Sequence, residues 1–349
     1  MGQITGTFET DYLDGTSETD DIQGRGGDDY IYDSLGGADY IRGNGGDDTI
    51  AVTRFSDSAP ETGKISLLGG ADDDTLIWEV YNASAGVLDG GEGDDEFILQ
   101  ANAGKVLIKT GAGLDTVSFS QLDTRFLGSI EIQDFNLSVD SIEIIPFLER
   151  ALTNWDGGNP FGSGHLRLVQ SGSSTVLQID ANGGGNSYVN LATFSNTLAS
   201  NFSASHFGGY APNGSEPVGQ TLTGDSSENS IEGTVGDDTI NGRGGSDDLF
   251  GGAGDDVMYG AAGQDWIDGG MGDDLIRAGA DNDVIFSGNA IKAKGFALNL
   301  DFGDDTLYGD SGNDSFAISR SDASPASQIK AYGGADNDTF DYDVANAST

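Results

Sequence analysis

The sequence contains no cysteine and only two histidines, His165 and His206, among 349 residues. The absence of cysteine excludes a disulfide framework. Positive charge is also scarce, because 15 lysines and arginines stand against 58 aspartates and glutamates and give a formal net charge of −43. Nucleic acids and anionic membranes bind basic surfaces, and no apolar run approaches the length of a membrane span. We therefore expect neither a nucleic-acid partner nor membrane insertion.

Glycine and aspartate are abundant instead, and they recur with a fixed period. The chain has 56 glycines, far above the usual share of about 7%. An aspartate followed two residues later by a large apolar residue returns every nine residues. In the C-terminal part this period runs unbroken from Asn229 and Ile231 to Asp283 and Ile285. A period of nine fits neither an amphipathic helix nor an isolated hairpin, so each repeat is predicted to be part of a stacked coil.

Residues 90–98 and 269–277 match the pattern G-G-x-G-x-D-x-U-x, in which U is a large apolar residue, at every fixed position. The glycines permit a tight turn with positive φ, the aspartate supplies an oxygen ligand, and the last three residues form a short strand with one inward residue. This nonapeptide resembles the RTX family of calcium-binding β-roll proteins. The resemblance implies parallel coils of two repeats each and several bound Ca²⁺ ions.

Coils of two repeats place residues 18 apart on neighbouring strands, about 4.8 Å from each other. Asp238, Asp256 and Asp274 then stack on one edge, and Asp247 and Asp265 stack on the other. Two carboxylates at this spacing repel by about 3 kcal/mol at an effective dielectric of about 20. A cation between successive coils would convert this repulsion into shared ligation. Carboxylates and carbonyls favour calcium over zinc.

The predicted calcium ligands occupy the repeating positions, whereas His165 and His206 lie in no metal-binding spacing and are expected to be ordinary strand or loop residues. The predicted metal-site residues are Asp11, Asp20, Asp29, Asp39, Asp48, Asp72, Asp74, Gly90, Gly93, Asp95, Asp115, Asn229, Asp238, Asp247, Gly251, Gly254, Asp256, Asp265, Gly269, Gly272, Asp274, Asp283, Asp305, Asp314, Asp336 and Asp338.

The period divides the chain into three segments. Residues 1–118 form a first array whose later coils are longer, residues 119–216 lack the nonapeptide, and residues 217–349 form a second array. The middle segment alternates apolar and polar residues in the manner of β-strands, with one short helix expected near residues 146–152. It resembles the β-rich domains that cap RTX arrays. The predicted fold is therefore all-β, with two parallel β-roll or β-helix arrays separated by a β-rich capping or spacer domain.

Internal duplication is also visible, because residues 2–27 parallel residues 219–245. The second copy stops within a module, which predicts either head-to-tail self-association or neighbouring tandem modules. A bacterial cell-surface polysaccharide is a further candidate partner, although the three tryptophans are better explained by packing than by a carbohydrate platform.

The RTX resemblance implies export in an unfolded state through a type I secretion system that reads a C-terminal signal, and we expect no N-terminal signal peptide. Extracellular calcium modules bind with Kd of about 10⁻⁴–10⁻³ M, so folding is expected to wait until export. No H-E-x-x-H, G-x-S-x-G or phosphate-loop motif is present. The sequence favours a secreted, non-enzymatic structural protein of a bacterial surface, such as an S-layer, matrix, filament or adhesin module.

Two enzymatic alternatives remain open. The first is an accessory or secretion module at the C-terminal end of an extracellular protease, lipase or alginate epimerase, since RTX arrays also follow catalytic domains. The second is a β-helical polysaccharide lyase or epimerase that works on the coil itself. The sequence on either side of this chain in the intact gene would discriminate them best.

Overall fold

A computed structural model describes residues 1–55, 60, 62–82, 84–119, 122, 125, 127–152, 155, 157–286, 305–321 and 329–345. Across these ranges the chain forms 28 β-strands, one α-helix and two short 3₁₀ helices, which confirms the predicted all-β class. The structure divides into two compact units. The first comprises Met1–Ala151, Leu166–Ala181 and Gly185–Gly208, and the second comprises Leu152–His165, Asn182–Gly184 and Gly209–Thr349.

The first unit begins as a two-sided coil of parallel strands. Its odd-numbered strands β1, β3, β5, β7 and β9 pair in that order on one side, and β2, β4, β6 and β8 pair on the other. The long strand β10 joins both sides, because its first part pairs with β8 and its later part pairs with β9. These strands are β1 (Gly2–Thr5), β2 (Tyr12–Asp14), β3 (Asp20–Gln23), β4 (Tyr30–Asp33), β5 (Tyr40–Gly45), β6 (Thr49–Arg54), β7 (Lys64–Ala71), β8 (Thr75–Val80), β9 (Ala85–Glu92) and β10 (Glu96–Ala112).

The predicted strands and helix of the middle segment are present, and the strands continue the sheets of the first array. β11 (Thr116–Ser118) ends the first array. The elements of the middle segment are β12 (Leu127–Ile132), β13 (Ser141–Glu143), α1 (Ile145–Ala151), β14 (Leu166–Ser171), β15 (Ser174–Ile179) and β16 (Val189–Phe194), followed by 3₁₀ helices at Ala199–Asn201 and Ala204–His206. β12 pairs in parallel with β10, and β16 pairs in parallel with β12. β14 and β15 then close this edge with antiparallel pairing. The division into three domains stays a prediction.

The second unit contains two six-stranded parallel sheets. One consists of β17 (Thr221–Thr223), β19 (Thr239–Asn241), β21 (Val257–Ala262), β23 (Leu275–Ala280), β25 (Thr306–Ser311) and β27 (Lys330–Tyr332). The other consists of β18 (Ser230–Glu232), β20 (Asp248–Ala253), β22 (Trp266–Met271), β24 (Val284–Phe286), β26 (Ser315–Ser321) and β28 (Thr339–Ala345). Ile240 pairs with Met258 and Leu249 pairs with Ile267, so consecutive coils are two nonapeptides apart, as the sequence predicts.

Where the nine-residue period is strict, the core is a column of single large apolar residues, one from each strand, whereas the longer strands of the first array also bury residues such as Val52, Trp78 and Leu99. Side chains alternate between the two faces of a strand, so the apolar residue of every nonapeptide points inward and its neighbours point outward. In the second array Ile240, Leu249, Met258, Ile267 and Ile276 are fully buried in one cluster. The first array buries Ile22, Ile31, Ile41 and Ile50 in the same way. A narrow core of this kind needs only one large residue per strand.

Replacing one inward residue is expected to cost a substantial part of the stability. Ile276 lies between Met258 and Leu307 in the column, and Ile276→Ala leaves a cavity there. We expect a loss of about 2–5 kcal/mol in denaturant unfolding at saturating calcium. Arg277→Ala on the outward face is the matched control, because its exposed pair with Asp310 contributes at most about 1 kcal/mol. Equal losses in the two variants would contradict the inward column.

Candidate metal centre

Each nonapeptide opens with a turn whose positions 1 to 6 correspond to G-G-x-G-x-D. In the turn of residues 251–256, Gly252 at position 2 and Gly254 at position 4 both have φ of +112°. Glycine adopts such angles without steric cost. Arg25 and Arg243 nevertheless adopt positive φ at position 2 of their own turns, with values of 90° and 73°. The coil therefore imposes this backbone shape even where the residue is not glycine.

The aspartates at position 6 form the predicted ladders along the coil edges. The N–H of Asp238 donates to Asp256 Oδ1 at 2.7 Å, and the N–H of Asp256 donates to Asp274 Oδ1 at 2.9 Å. On the opposite edge the N–H of Asp247 donates to Asp265 Oδ1 at 2.9 Å. One oxygen of each stacked carboxylate is thus satisfied by the backbone of the preceding coil, a contact that the repulsion estimate from the sequence did not include.

The first unit contains an equivalent ladder. Asp29, Asp48, Asp74, Asp95 and Asp115 follow one another in it, and each N–H donates to Oδ1 of the next aspartate at 2.8–3.0 Å. The sequence separations in this ladder are 19, 26, 21 and 20 residues. The longer coils therefore keep the aspartates in register even though they contain additional strand residues.

The second oxygen of many position-6 aspartates is buried and accepts no hydrogen bond within the described part of the chain. This group comprises Oδ2 of Asp29, Asp48, Asp74, Asp95, Asp115, Asp247, Asp256, Asp265, Asp283 and Asp314. A buried carboxylate oxygen without a partner is strongly unfavourable. We call the turns that end in these ten residues open turns. Their geometry calls for a cation beside Oδ2.

In eight of the ten open turns, glycine at position 1 keeps the space beside this oxygen clear, and Thr110 and Ala278 take this position in the turns of Asp115 and Asp283. A Cβ atom on Gly251 would stand 2.3 Å from Asp256 Oδ2 and 2.2 Å from the carbonyl oxygen of Gly269 in the next coil. A Cβ on Gly90 would likewise stand 2.1 Å from Asp95 Oδ2 and 2.5 Å from the Thr110 carbonyl oxygen. A carboxylate oxygen and backbone carbonyls therefore face the same small region. This mixture of hard oxygen donors suits Ca²⁺.

The described residues contain no group of three or more His, Cys, Asp or Glu side chains arranged to hold a metal. A site in an open turn would therefore combine one carboxylate per turn with main-chain carbonyls, which disfavours zinc. The histidines are used elsewhere. His206 Nδ1 accepts the N–H of Ser203 at 2.9 Å, and His165 Nδ1 lies 2.8 Å from Ser163 Oγ. Ca²⁺ is thus the cation that these turns fit.

Burial changes the acidity of the ladder carboxyls. It raises the pKa of Asp74 and Asp256 to about 8, and the pKa of Asp95 and Asp283 to about 7. The backbone N–H bonded to each carboxylate opposes the rise, whereas the charges of neighbouring aspartates add to it. Without a cation, these groups therefore resist ionisation near neutral pH.

The calcium-free chain is expected to gain β structure as the pH falls. The folded pKa values of about 6–8 lie above the unfolded value of about 3.9, so protonation stabilises the fold. This contribution is complete below about pH 4 and is lost as the pH rises through about 6–8. Circular dichroism in metal-free buffer measures it. Asp256→Asn should raise the metal-free folded fraction at about pH 8, whereas Asn at the exposed, outward-facing Asp248 should not. An unchanged spectrum on acidification would contradict this expectation.

The predicted glycines and the remaining aspartates have distinct places in the turns. Gly90, Gly251 and Gly269 stand at position 1, and Gly93, Gly254 and Gly272 stand at position 4. Asp72 and Asp336 also stand at position 4, with φ of 76° and 82°, and are not rungs of the ladder. Asp72 Oδ2 instead accepts the N–H of Gly46 at 3.1 Å. Asp305 and Asp338 are rungs, since they accept the N–H groups of Asp274 and Asp314 at 3.0 and 3.1 Å.

In four predicted ligands, a side-chain oxygen accepts hydrogen bonds from the residue at position 2 of the same turn. Thr16 donates its N–H to Asp20 Oδ2 at 2.8 Å and its hydroxyl at 2.7 Å. Thr7 makes the same two bonds to Asp11, and Thr234 makes them to Asp238. Asn229 Oδ1 accepts the N–H of Asp225 at 2.9 Å. We call these four the self-bonded turns, because the residue at position 2 satisfies the side chain at position 6.

Asp39 has a third kind of partner, the guanidinium of Arg54. Arg54 Nη2 lies 2.9 Å from Asp39 Oδ2 and 2.6 Å from Asp33 Oδ2, and all three side chains are buried. Asp33 occupies turn position 1, where open turns such as that of Asp29 have glycine. The turn from Asp33 to Asp39 is one residue longer than the other turns, and the additional residue lies within Gly36–Gly37. The prediction that all of these residues bind calcium therefore stays a prediction, with three different local environments.

Sequence reasoning missed a second ladder, formed by the residues at position 5. The N–H of Asp255 donates to Asp237 Oδ1 at 3.0 Å, and the N–H of Asp273 donates to Asp255 Oδ1 at 2.9 Å. The donor here lies in the later coil, opposite to the position-6 ladder. The repeated Asp-Asp pairs were the available signal. Asp140 was missed as well, although the N–H of Asp115 donates to its Oδ1 at 3.3 Å.

A family model described as RTX calcium-binding nonapeptide repeat (4 copies) matches residues 5–32, 33–58, 223–258, 259–289 and 298–317. No curated protein matches the chain. The matched segments lie in both arrays and leave out residues 119–216, so the resemblance of the middle segment to capping domains stays a prediction. The turns described above lie in the matched segments wherever the nine-residue period is strict. Both arrays therefore contain RTX nonapeptide repeats, which bind multiple Ca²⁺ ions.

Proposed function

We propose that this chain is a secreted, non-enzymatic, calcium-dependent structural protein of a bacterial surface, as part of an S-layer, matrix, filament or large adhesin. RTX repeats are typical of secreted proteins. The observation that carries the proposal is the set of buried open oxygens in both arrays. These oxygens need a cation before the coils can close, and calcium is abundant outside cells. Calcium binding is therefore coupled to folding.

Export through a type I secretion system fits the same dependence. A chain that cannot close its coils without calcium stays extended where free calcium is low, and it folds when it meets calcium outside the cell. Among the described residues no helix has the length and apolar character of a membrane span. A formal charge of −43 favours contact with other surfaces through shared divalent cations.

Self-association or contact with a neighbouring tandem module is supported by the last coil of the second array. Phe340 on β28 pairs in register with Phe316 and stacks on its ring at 4.6 Å, yet it is 51% exposed. In the first array Leu76 holds the parallel place and is fully buried, because β10 covers it with Phe97. A further coil, from a second copy or an adjoining module, would bury Phe340 in the same way.

A cell-surface polysaccharide is a second candidate partner. Tyr12 stacks on Tyr30 with ring centroids 5.0 Å apart, and Trp266 lies 4.5 Å from Phe286. Tyr12, Tyr30 and Trp266 are exposed. The apolar face of a tyrosine or tryptophan ring can pack against a sugar ring, while its O–H or N–H group can bond to water. The alternative function is that of an RTX accessory or secretion module of an extracellular protease, lipase or alginate epimerase.

Labelling of intact bacterial cells that produce the protein tests the proposal. Antibodies against the chain should label the cell surface, and washing with a calcium chelator should release the label into the medium. Label confined to the cell interior, or free in the medium at high calcium, would overturn the surface role. An enzyme domain in the same reading frame, with matching activity in the culture medium, would favour the accessory-module alternative.

A further inference from the structure

The four self-bonded turns occupy the same place in both arrays. The turns ending at Asp11 and Asp20 precede the first open turn of the first array, which ends at Asp29. The turns ending at Asn229 and Asp238 precede the first open turn of the second array. Each array therefore opens with two self-bonded turns, and the turn that directly follows them is open in both arrays. Asp140, after the last open turn of the first unit, also accepts the N–H of its position-2 residue, Asn136, at 2.7 Å.

The backbone angle at position 2 separates the two kinds. Gly252, Gly70 and Arg243 have φ of +112°, +135° and +73° at position 2 of their open turns, whereas Thr7, Thr16, Asp225 and Thr234 have no positive φ. In the self-bonded turns the N–H of this residue points at the side chain of position 6. β-Branched threonine disfavours positive φ, and its hydroxyl reinforces the closed arrangement.

We propose that calcium binds only at turns whose second residue has positive φ, and that the two self-bonded turns of each array close without calcium. Asn229 fits this division, because a neutral amide stands at position 6 and is satisfied by the N–H of Asp225 at 2.9 Å. The ion-independent coil would then present a formed edge to which the first calcium-dependent coil adds. The inference concerns calcium binding alone and does not rest on the proposed surface role.

The turn of Asp39 supports a second assignment, carried by a separate observation. In open turns Oδ2 of position 6 has no hydrogen-bond donor, but Asp39 Oδ2 receives Arg54 Nη2, which also donates to the Gly37 carbonyl oxygen at 3.1 Å. A carboxylate and a turn carbonyl thus both contact a guanidinium. We infer that Arg54 is the permanent cation of this turn and that no calcium binds beside Asp39.

Counting the calcium ions bound per chain, by native mass spectrometry at saturating calcium, tests the first proposal. Thr234→Gly gives this turn glycine at positions 1, 2 and 4 and aspartate at position 6, because Gly233, Gly236 and Asp238 are already in place. We expect this variant to bind one ion more than the natural chain. Thr234→Ala retains the N–H donor and is the matched control, with no added ion expected.

Two substitutions that each replace a position-6 carboxylate by a neutral amide provide a test that does not need Thr234→Gly to fold. Asp238→Asn should leave the number of ions unchanged, since Asn229 already fills the corresponding place in the preceding turn. Asp256→Asn in an open turn should lower the number. The proposal is overturned if Asp238→Asn loses an ion, or if a folded Thr234→Gly gains none.

The same count tests Arg54. Asp39→Asn should retain every ion, whereas Asp48→Asn in the next open turn of the first array should lose at least one. An ion lost from Asp39→Asn would show that calcium binds there alongside the guanidinium and would overturn the assignment. Arg54→Lys, which preserves the charge, should leave the count unchanged.

Discussion

In a calcium chelator at about pH 8, both arrays are expected to lose most of their β structure. Ten buried carboxylate oxygens have no hydrogen-bond donor in the described part of the chain. Each would cost about 1–3 kcal/mol if left unsatisfied, and more when charged. With five such oxygens in each array, the cost is comparable to the usual net stability of about 5–15 kcal/mol for a whole domain, even before the charge is considered. Calcium removes this cost by ligation, so its binding free energy is largely folding free energy.

Far-ultraviolet circular dichroism during a calcium titration measures this transition. The chelated chain should give a largely disordered spectrum and gain β signal cooperatively as calcium reaches the millimolar range. Zinc at the same concentration is the control, and it should not restore the fold because the turns offer carboxylate and carbonyl oxygens. A fully folded chelated chain, or selective rescue by zinc, would refute the expectation.

Arg54→Met is expected to destabilise the first array strongly, although Arg54 is not part of a calcium turn. The variant leaves Asp33 and Asp39 buried without the guanidinium that lies 2.6 and 2.9 Å from them. Removing one partner of a buried ion pair costs about 3–5 kcal/mol. Arg54→Lys should recover only part of this loss, because an ammonium cannot reproduce the planar set of donors that contacts both carboxylates.

Denaturant unfolding at saturating calcium measures the effect of Arg54→Met. Arg277→Met is the matched control, since the pair with Asp310 is exposed on both sides and contributes at most about 1 kcal/mol. Asp33→Asn and Asp39→Asn added to Arg54→Met should restore part of the stability by removing the unpaired charges. A loss no larger than that of the control would mean that the buried triad does not hold this coil.

The fold could be predicted largely from one periodicity. The nine-residue spacing fixed which residues stack, so the pairing of Ile240 with Met258 and the contact between Asp238 and Asp256 were expected and found. Each repeat contacts only the repeats next to it, so the contacts of the fold follow from the spacing of residues along the sequence. The longer coils of the first array were also predicted, and they contain the eight-residue strands β7 and β9.

The hydrogen-bond partners of individual position-6 carboxylates could not be predicted from this spacing. Whether Asp238 meets the N–H of Thr234 or leaves an oxygen open depends on φ at position 2, and several residue types can adopt either angle there. Asp310 has φ of +67° at position 2 of the open turn that ends at Asp314, whereas Asp225 does not have positive φ. The residue type at position 2 therefore does not by itself decide between the two arrangements.

The sequence also did not predict the ion pairs of Arg54, because they join residues that are distant in sequence. Arg54 reaches Asp33 and Asp39 across 21 and 15 residues, and nothing in the nine-residue pattern marks an arginine at the end of a strand. The missing glycine at Asp33 and the additional residue within Gly36–Gly37 were visible departures from the repeat. Their common cause becomes apparent only when the guanidinium is seen between the two carboxylates.

The most direct test of the central claim is an anomalous difference map from crystals grown in calcium. The account predicts calcium peaks beside the open oxygens of residues such as Asp256, Asp265 and Asp95, with carbonyl oxygens of adjacent turns completing each site. It predicts no peak beside Asp238 or Asp39. Peaks beside Asp238 and Asp39, or none beside Asp256 and Asp265 in a folded chain, would contradict the assignment of calcium to the open turns.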